Sequence, residues 1–170
     1  ETGANGTGDI LLETLSSGTI LTNGLVMSDT GNITLNSKES LDVVDLLRTG
    51  SPGTLYLRSA QSVTVGNLQA DNDIAIISAA AINLGRIHAG SGNVYLEAQG
   101  SILDTDASSN STNIIASGLA MKSGGTIGSS DLMNSQDSNR NAIGTQVTTL
   151  AVQAAHGIYV QELDGVIIDK

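Results

Sequence analysis

The sequence predicts an all-β fold, a parallel β-helix (solenoid) in which about three short strands form each rung of roughly 20 residues. A recurring strand motif, a β-type alternation of apolar residues and a lack of aromatic side chains lead to this prediction. Of 170 residues, 39% are hydrophobic and only 2% are aromatic, with three Tyr and neither Phe nor Trp. A core without large rings must be packed from Ile, Leu, Val and Ala.

The recurring motif is a turn residue followed by an apolar residue, any residue and a second apolar residue. Its copies are "GDILL" at 8–12, "GNITL" at 31–35, "GTLYL" at 53–57, "NDIAI" at 72–76 and "GNVYL" at 92–96. The first apolar residues of successive copies are 23, 22, 19 and 20 residues apart. One such unit cannot bury its own apolar face, whereas stacked units can. The repeat therefore predicts a solenoid.

Each rung is expected to contribute three groups of inward-facing residues. The first strand supplies Ile10 and Leu12, Ile33 and Leu35, Leu55 and Leu57, Ile74 and Ile76, and Val94 and Leu96. The second strand supplies Ile20, Leu41, Val63, Ile82 and Ile102, and the third supplies residues near Leu25, Leu46, Leu68 and Ile87. Neighbouring rungs would lie about 4.8 Å apart, which leaves little room for aromatic rings between layers. A β-sandwich is the competing fold, because its turns also recur at short intervals.

The whole chain, 1–170, is predicted to be a single β-helix segment, with residues 1–3 as a cloning remnant. Two polar stretches interrupt the repeat, at 103–113 and at 128–142. Both are rich in Ser, Asn and Asp. A solenoid accommodates such insertions as surface loops at the corner of a rung.

Charge and composition exclude several classes of function. Seven Lys and Arg stand against seventeen Asp and Glu, a formal net charge of −10, and the basic residues are scattered. Nucleic acid is a poor partner for such a chain, because phosphate binding needs clustered basic residues. Without Cys there is neither a disulfide nor a thiolate metal site. The longest apolar stretch, at 74–82, is too short to span a bilayer, so we expect no membrane insertion.

Two long stretches, 66–102 and 124–168, resemble the repeats of filamentous-haemagglutinin-type exoproteins, the large β-helical adhesins of Gram-negative bacteria. The resemblance implies a right-handed parallel β-helix that forms part of a secreted or cell-surface stalk, with a role in virulence through adhesion or biofilm cohesion. No counterpart of the family's N-terminal secretion domain is evident, so the chain is expected to be an internal segment packed against the rest of a parent solenoid.

The sequence thus predicts a structural and adhesive module that is not an enzyme and needs no cofactor. Its expected partners are a host-cell surface, a glycan or an extracellular matrix polysaccharide. Two alternatives remain open: a β-helical carbohydrate-active enzyme such as a polysaccharide lyase or glycosidase, and a mechanical spacer whose binding tip lies elsewhere. His88 and His156 lie far apart in sequence and outside any nucleophile motif. The carboxylate pair of a glycosidase is defined by spatial separation, which sequence does not reveal.

Tyrosine positions supply one set of candidate ligand-binding residues. Tyr56, Tyr95 and Tyr159 each stand between the two apolar residues of a strand and should point outward. Tyr56 and Tyr95 should share one face, with Ala75 between them, where rings could stack on sugar. The alternative interpretation is that Tyr, a good β-former, simply fills exposed strand positions.

The polar insertions supply the other candidates, because there the chain departs from residues needed for stacking. In ligand-binding roles we expect Asp104, Asp106 and Asn110 in the first insertion and Asp131, Asp137 and Asn139 in the second. Asp104 begins the one-three-five-seven spacing of a calcium loop, but Ser109 replaces its glycine and Ile115 its terminal Glu. We therefore predict ordinary polar loops and no bound metal.

Overall fold

A computed structural model of the chain describes residues 4–105, 112–129 and 141–169. These residues form sixteen β-strands and no helix. The strands are β1 (Ala4–Gly6), β2 (Ile10–Glu13), β3 (Ile20–Thr22), β4 (Val26–Ser28), β5 (Ile33–Ser37), β6 (Leu41–Thr49), β7 (Leu55–Ser59), β8 (Val63–Ala70), β9 (Ile74–Ser78), β10 (Ile82–His88), β11 (Asn93–Ala98), β12 (Ile102–Asp104), β13 (Ile114–Ser123), β14 (Ile143–Ala154), β15 (Val160–Glu162) and β16 (Ile167–Ile168).

The strands stack as a β-solenoid of about seven rungs with about 21 residues in each. Every pairing among the described strands is parallel, and each joins a strand to its counterpart in the next rung. The all-β solenoid prediction is confirmed, and a sandwich, which is built from antiparallel sheets, is excluded. Crossovers between parallel strands are right-handed in nearly all sheets, which is the hand we expect here.

The core consists of aliphatic columns that run along the solenoid axis. In register, Ile33 of β5 pairs with Leu55 of β7, and the column continues through Ile74 and Val94. All four side chains are at most 1% exposed. Burying one such side chain stabilises the fold by roughly 1.5–3 kcal/mol.

The first rung departs from the predicted burial pattern. Leu12 was expected to point into the core but is 39% exposed, and Ile10 is only partly buried. Among the described strands β2 pairs with β5 alone, so no described rung covers its other side. Alternation predicts which way a side chain points, whereas complete burial also requires a neighbouring rung on each side.

A column of small polar residues closes the first strand of three successive rungs. Ser37, Ser59 and Ser78 follow one another in register and are buried. Each hydroxyl donates to a main-chain carbonyl of the preceding rung; the Ser37 bond to Gly18 measures 2.9 Å. No buried side-chain N or O atom in the described ranges lacks a hydrogen-bond partner. The buried hydroxyls of this column therefore all have hydrogen-bond partners, as the burial of polar groups requires.

The second and third predicted strands are joined into one continuous strand in β6, β8 and β10. The in–out alternation breaks once in each: in β8 the adjacent residues Gly66 and Asn67 both face outward, as do Gly85 and Arg86 in β10. We call this position the bend. It turns the chain around the core without ending the strand.

Two predicted third-strand residues are wrong by one position because of the bend. Leu47 and Val26 are buried, whereas Leu46 is partly exposed and Leu25 is 41% exposed. Strand β6 carries an extra residue at the bend, where its register with β8 shifts between Val43 and Leu46. An extra residue reverses the facing of the residues that follow it. The other two third-strand predictions, Leu68 and Ile87, are fully buried, as expected.

Both polar insertions leave the stack at the bend. The first lies between Ile102, which pairs with Ile82 of β10, and Ile114, which pairs with Ile87 of the same strand. The second lies between Ile127, which bridges to Ile102, and strand β14, which pairs with β13. One corner of the solenoid therefore carries all the major departures from the repeat.

Candidate functional site

The predicted tyrosine surface lies on what we call the first-strand face, the outward-facing residues of β2, β5, β7, β9, β11 and residues 118–123 of β13. Tyr56 and Tyr95 both pair in register with Ala75, so they stand two rungs apart in one outward column with Ala75 between them. This part of the prediction is confirmed. Tyr95 is 38% exposed, and Tyr56 is partly buried.

Tyr95 is held in place by its neighbours. Its hydroxyl donates to Glu97 Oε2 at 2.6 Å, and Lys122 Nζ donates to Glu97 Oε1 at 3.0 Å. The hydrogen bond from Tyr95 and then the one from Lys122 lower the pKa of the Glu97 carboxyl, and the same bond raises the pKa of the Tyr95 phenol. Ala75 and Ala120 flank Tyr95 in the adjacent strands. A restrained ring between small side chains can stack on a sugar ring.

Polar residues that precede the first strands serve the fold. The main-chain N–H of Asn32 donates to Asp9 Oδ1 at 2.7 Å, and Asn32 Oδ1 accepts from the main-chain N–H of Thr54 at 3.0 Å. The same arrangement joins Asn93 to Asp73, at 2.8 Å. The Gly-Asn and Gly-Asp signals of the repeat thus mark side-chain ladders that connect rungs, and these groups are already occupied.

Asp104 proves to be a structural residue at an inward-facing position. It pairs in register with the buried Leu84, and its Oδ1 accepts from Asn113 Nδ2 at 2.9 Å. Asn113, which is 1% exposed, also donates to the Gly85 carbonyl and accepts from the Gly144 N–H at 2.8 Å. It joins three rungs where the first insertion returns to the stack. Nothing in the sequence marks this role, because Asn is also an ordinary loop residue.

The other predicted loop candidates lie outside the described residues: Asp106, Asn110, Asp131, Asp137 and Asn139. Within the described ranges, no three His, Cys, Asp or Glu side chains come together in a way that could hold a metal ion. The same ranges contain no helix long and apolar enough to cross a membrane.

The structure shows a surface that the sequence did not predict, which we call the bend groove. Two adjoining hollows of about 530 and 450 Å³ share Asn67 and Arg86 and lie on the outside of β6, β8 and β10. The residues that matter for its chemistry are Asp42, Thr64, Gly66, Asn67, Gly85 and Arg86. The groove crosses successive rungs and is open to solvent.

Glycines at the bend are required by the close stacking of the rungs. A Cβ on Gly85 would lie 2.3 Å from the Gly66 carbonyl oxygen, and one on Gly66 would lie 2.4 Å from that of Val44. A side chain does not fit at Gly66 or Gly85, because the atoms that it would clash with belong to the main chain of the preceding rung. Glycine commonly occupies such positions of close backbone approach. In the sequence these residues look like ordinary interruptions of a strand, so the repeat alone did not identify the groove.

The walls of the groove carry hydrogen-bonding and charged groups. Asp42 and Thr64 stand in register on the second-strand side, and Asn67 and Arg86 stand in register on the third-strand side. Arg86 is exposed and has no hydrogen-bond or ion-pair partner among the residues that the structure describes. These groups can bind a polar ligand, and an open groove suits an extended one.

Comparison with known proteins adds no assignment. No protein-family model, curated protein or solved structure matches the chain. The resemblance to filamentous-haemagglutinin-type repeats therefore rests on the sequence motifs alone. Function must be argued from the first-strand face, the bend groove and the positions of the insertions.

Proposed function

We propose that this chain is a segment of a secreted or cell-surface bacterial adhesin, in which the solenoid serves as a stalk and its bend side binds a glycan or matrix polysaccharide. The observation that carries the proposal is that the bend groove and both polar insertions lie at one corner of the stack. Stacking constrains the rest of each rung, so a corner that departs from the repeat is where a solenoid can carry recognition.

The geometry of the groove favours a polymeric sugar over a small compact ligand. It is open, and its lining residues come from successive rungs. Rungs repeat about every 4.8 Å, a distance comparable to the length of one pyranose unit in an extended glycan. Hydroxyl, amide, carboxylate and guanidinium groups all hydrogen-bond to sugar hydroxyls. A chain of sugars lying along the axis could therefore meet hydrogen-bonding groups from successive rungs.

The regular part of the molecule supports the stalk role. Its columns continue from rung to rung, and the stack presents apolar residues at both ends, among them Leu12 and Ile167, which are 39% and 65% exposed. Apolar end surfaces of this kind are suited to packing against further rungs. Such rungs would be contributed by the parent solenoid that the sequence resemblance implies.

Trimming the insertions tests the proposal. Residues 106–111 and 130–140 are replaced, singly and together, by short Gly/Ser linkers, which leaves Asp104 and Asn113 in place. Thermal unfolding and binding to host cells and to immobilised biofilm polysaccharide are measured on the same samples. Because each rung contacts only its neighbours, we expect little loss of stability and a large loss of binding. Tyr95→Ser is the matched change on the first-strand face and should leave most of the binding intact.

The alternatives give different results in the same samples. Full binding by a stably folded double-loop variant would move recognition away from the bend side. A folded, intact segment that binds no cell or polysaccharide would favour the mechanical spacer. Release of shortened sugars from a polysaccharide would identify a carbohydrate-active enzyme.

A further inference from the structure

We propose that the bend groove binds an acidic polysaccharide, with Arg86 on the carboxylate of a uronic acid unit and the opposite wall on its hydroxyls. The inference rests on the proposed function and names the ligand class of the same side of the solenoid. It is carried by three features of the groove: a guanidinium without a partner among the described residues, an opposing carboxylate and a floor without side chains.

The guanidinium of Arg86 is available for a ligand. The chain has ten more acidic than basic residues, so partners for a cation are abundant. On the first-strand face Lys122 finds such a partner in Glu97, whereas Arg86, like Arg48 and Arg58, has none in the described part of the chain. Arg pairs with carboxylates through two parallel hydrogen bonds, a geometry that recognises a planar anionic group.

Arg48 is a second cationic side chain on the same side of the bend as Arg86. Arg48, Gln69 and His88 follow one another in register in the adjacent outward column of β6, β8 and β10. Gln69 and His88 line the second hollow together with Arg86. Arg48 and Arg86 are thus the cationic side chains on this side of the bend, where Asp45 is also exposed. On a strongly acidic protein, an anionic group would meet its nearest counter-charge at these two guanidinium groups.

The opposite wall restricts which anionic polymer fits. Asp42 lines the groove across from Arg86, with Thr64 next to it in register. A carboxylate accepts hydrogen bonds from sugar hydroxyls but repels another anion, so a polymer sulfated on most of its hydroxyls is disfavoured. A uronic acid unit, with one carboxylate and several free hydroxyls, has the matching pattern of charge.

The floor permits close approach. Gly66 and Gly85 lie between the two walls and present main chain without Cβ atoms. The floor between Asp42 and Arg86 therefore consists of main chain, whose polar groups can also hydrogen-bond to a ligand. The walls then reach a bound sugar from both sides.

The test compares two arginines that differ only in their position. Arg86→Gln and Arg58→Gln remove the same charge, from the groove and from the first-strand face, and both residues are exposed. Binding of the full chain to immobilised polygalacturonate, dextran and dextran sulfate is measured at two salt concentrations. We expect polygalacturonate to bind best, Arg86→Gln to weaken it about tenfold, and Arg58→Gln to change it by less than about twofold. Unchanged thermal unfolding of both variants checks the fold.

Each contrary result has a distinct meaning. Equal losses in the two variants, or preference for dextran sulfate, would overturn the inference by showing unspecific attraction of polyanions. Equal binding of dextran and polygalacturonate, insensitive to Arg86→Gln, would overturn it while the proposed adhesive function survives. Binding of host cells without binding of any of the three polymers would also overturn only the inference. Failure to bind cells and polymers alike would overturn both.

Discussion

Tyr95 on the first-strand face and Arg86 in the bend groove differ in their hydrogen-bond partners. On the first-strand face, Tyr95, Glu97 and Lys122 satisfy one another. At the bend, Arg86 has no partner among the described residues, and Gly66 and Gly85 contribute no side chain at all. Both faces rest on the same stacked core, and the bend differs from the first-strand face by its break in alternation. The hollow beside that break presents the Arg86 guanidinium to a ligand.

The largest effect is expected from placing a charge in the core that both faces share. Ile76 is fully buried, and Ile77, the next residue, faces outward on the first-strand face. Ile76→Asp should cost more than about 4 kcal/mol in the free energy of unfolding, because an unpaired carboxylate enters an aliphatic column. Ile77→Asp should cost less than about 1 kcal/mol. Chemical denaturation of the pair measures both, and equal effects would contradict the assignment of inward and outward positions.

The next largest effect on stability is expected from a comparison of two glycines, one at the bend and one on the first-strand face. In Gly85→Ala the new Cβ meets the Gly66 carbonyl oxygen at 2.3 Å, so main chain must move, and we expect a loss of about 2–3 kcal/mol. In Gly118→Ala, on the first-strand face, the nearest atoms belong to the side chains of Asn93 and Thr149. Side chains can rotate away, so the loss should be below about 1 kcal/mol. The denaturant midpoints report both changes.

Similar losses from the two glycine variants would show that the bend is no tighter than the flanking strands. That result would also remove the reason for a floor without side chains. A stabilising Gly85→Ala would mean that the rungs at the bend lie farther apart in solution than the structure places them.

Asn113 provides a smaller contrast between an interior and a surface amide. Asn113→Ala removes the hydrogen bonds that its amide donates to Asp104 and to the Gly85 carbonyl, and the one that it accepts from the N–H of Gly144. We expect this variant to be destabilised by about 2 kcal/mol. Asn36→Ala, on the first-strand face, removes a bond to the exposed Glu13 and should cost less than about 0.5 kcal/mol. Thermal unfolding of both variants is the measurement. An Asn113→Ala protein as stable as Asn36→Ala would show that this amide does not join the rungs.

The sequence predicted those features that the repeat imposes on every rung. Ile74, Ile76, Val94 and Leu96 are buried as expected, and Ala75 stands between the two Tyr, because a period of two residues and a common register follow from stacking. These features are local and recur, so one chain contains several copies of the evidence.

Features of the bend could not be predicted in the same way. The shift from Leu46 to Leu47 depends on one extra residue, and hydrophobic Leu occupies both positions. The groove depends on contacts between Gly66 and Gly85 of successive rungs, which sequence separation does not show. Asn113 acts through partners in three different rungs. Each of these is a three-dimensional relation between residues that are unremarkable one at a time.

The smallest effect concerns the proton equilibria of the first-strand face. The hydrogen bond between Tyr95 and Glu97 raises the pKa of Tyr95 and lowers that of Glu97, with Lys122 adding to the second shift. A lowered carboxyl pKa contributes stability that is present above the unfolded-state pKa and is lost as pH falls through the folded-state value. A raised phenol pKa contributes stability that is present below the unfolded-state pKa and is lost as pH rises through the folded-state value. The Tyr95–Glu97 hydrogen bond therefore stabilises the native state in the pH range above the carboxyl pKa of Glu97 and below the phenol pKa of Tyr95.

Glu97→Gln tests this coupling. The chain has three Tyr, so Tyr56→Phe and Tyr159→Phe leave Tyr95 as the only phenol, and tyrosinate absorbance then follows its titration alone. In that background Glu97→Gln should lower the pKa of Tyr95, because both the charged acceptor and its negative field are removed. Asp42→Asn makes the same chemical change on the bend side and should leave the Tyr95 titration where it was. If the pKa of Tyr95 is the same with and without Glu97→Gln, the ring is not held by the carboxylate in solution. Tyr95 would then resemble Arg86 of the bend groove in having a polar group available to a ligand.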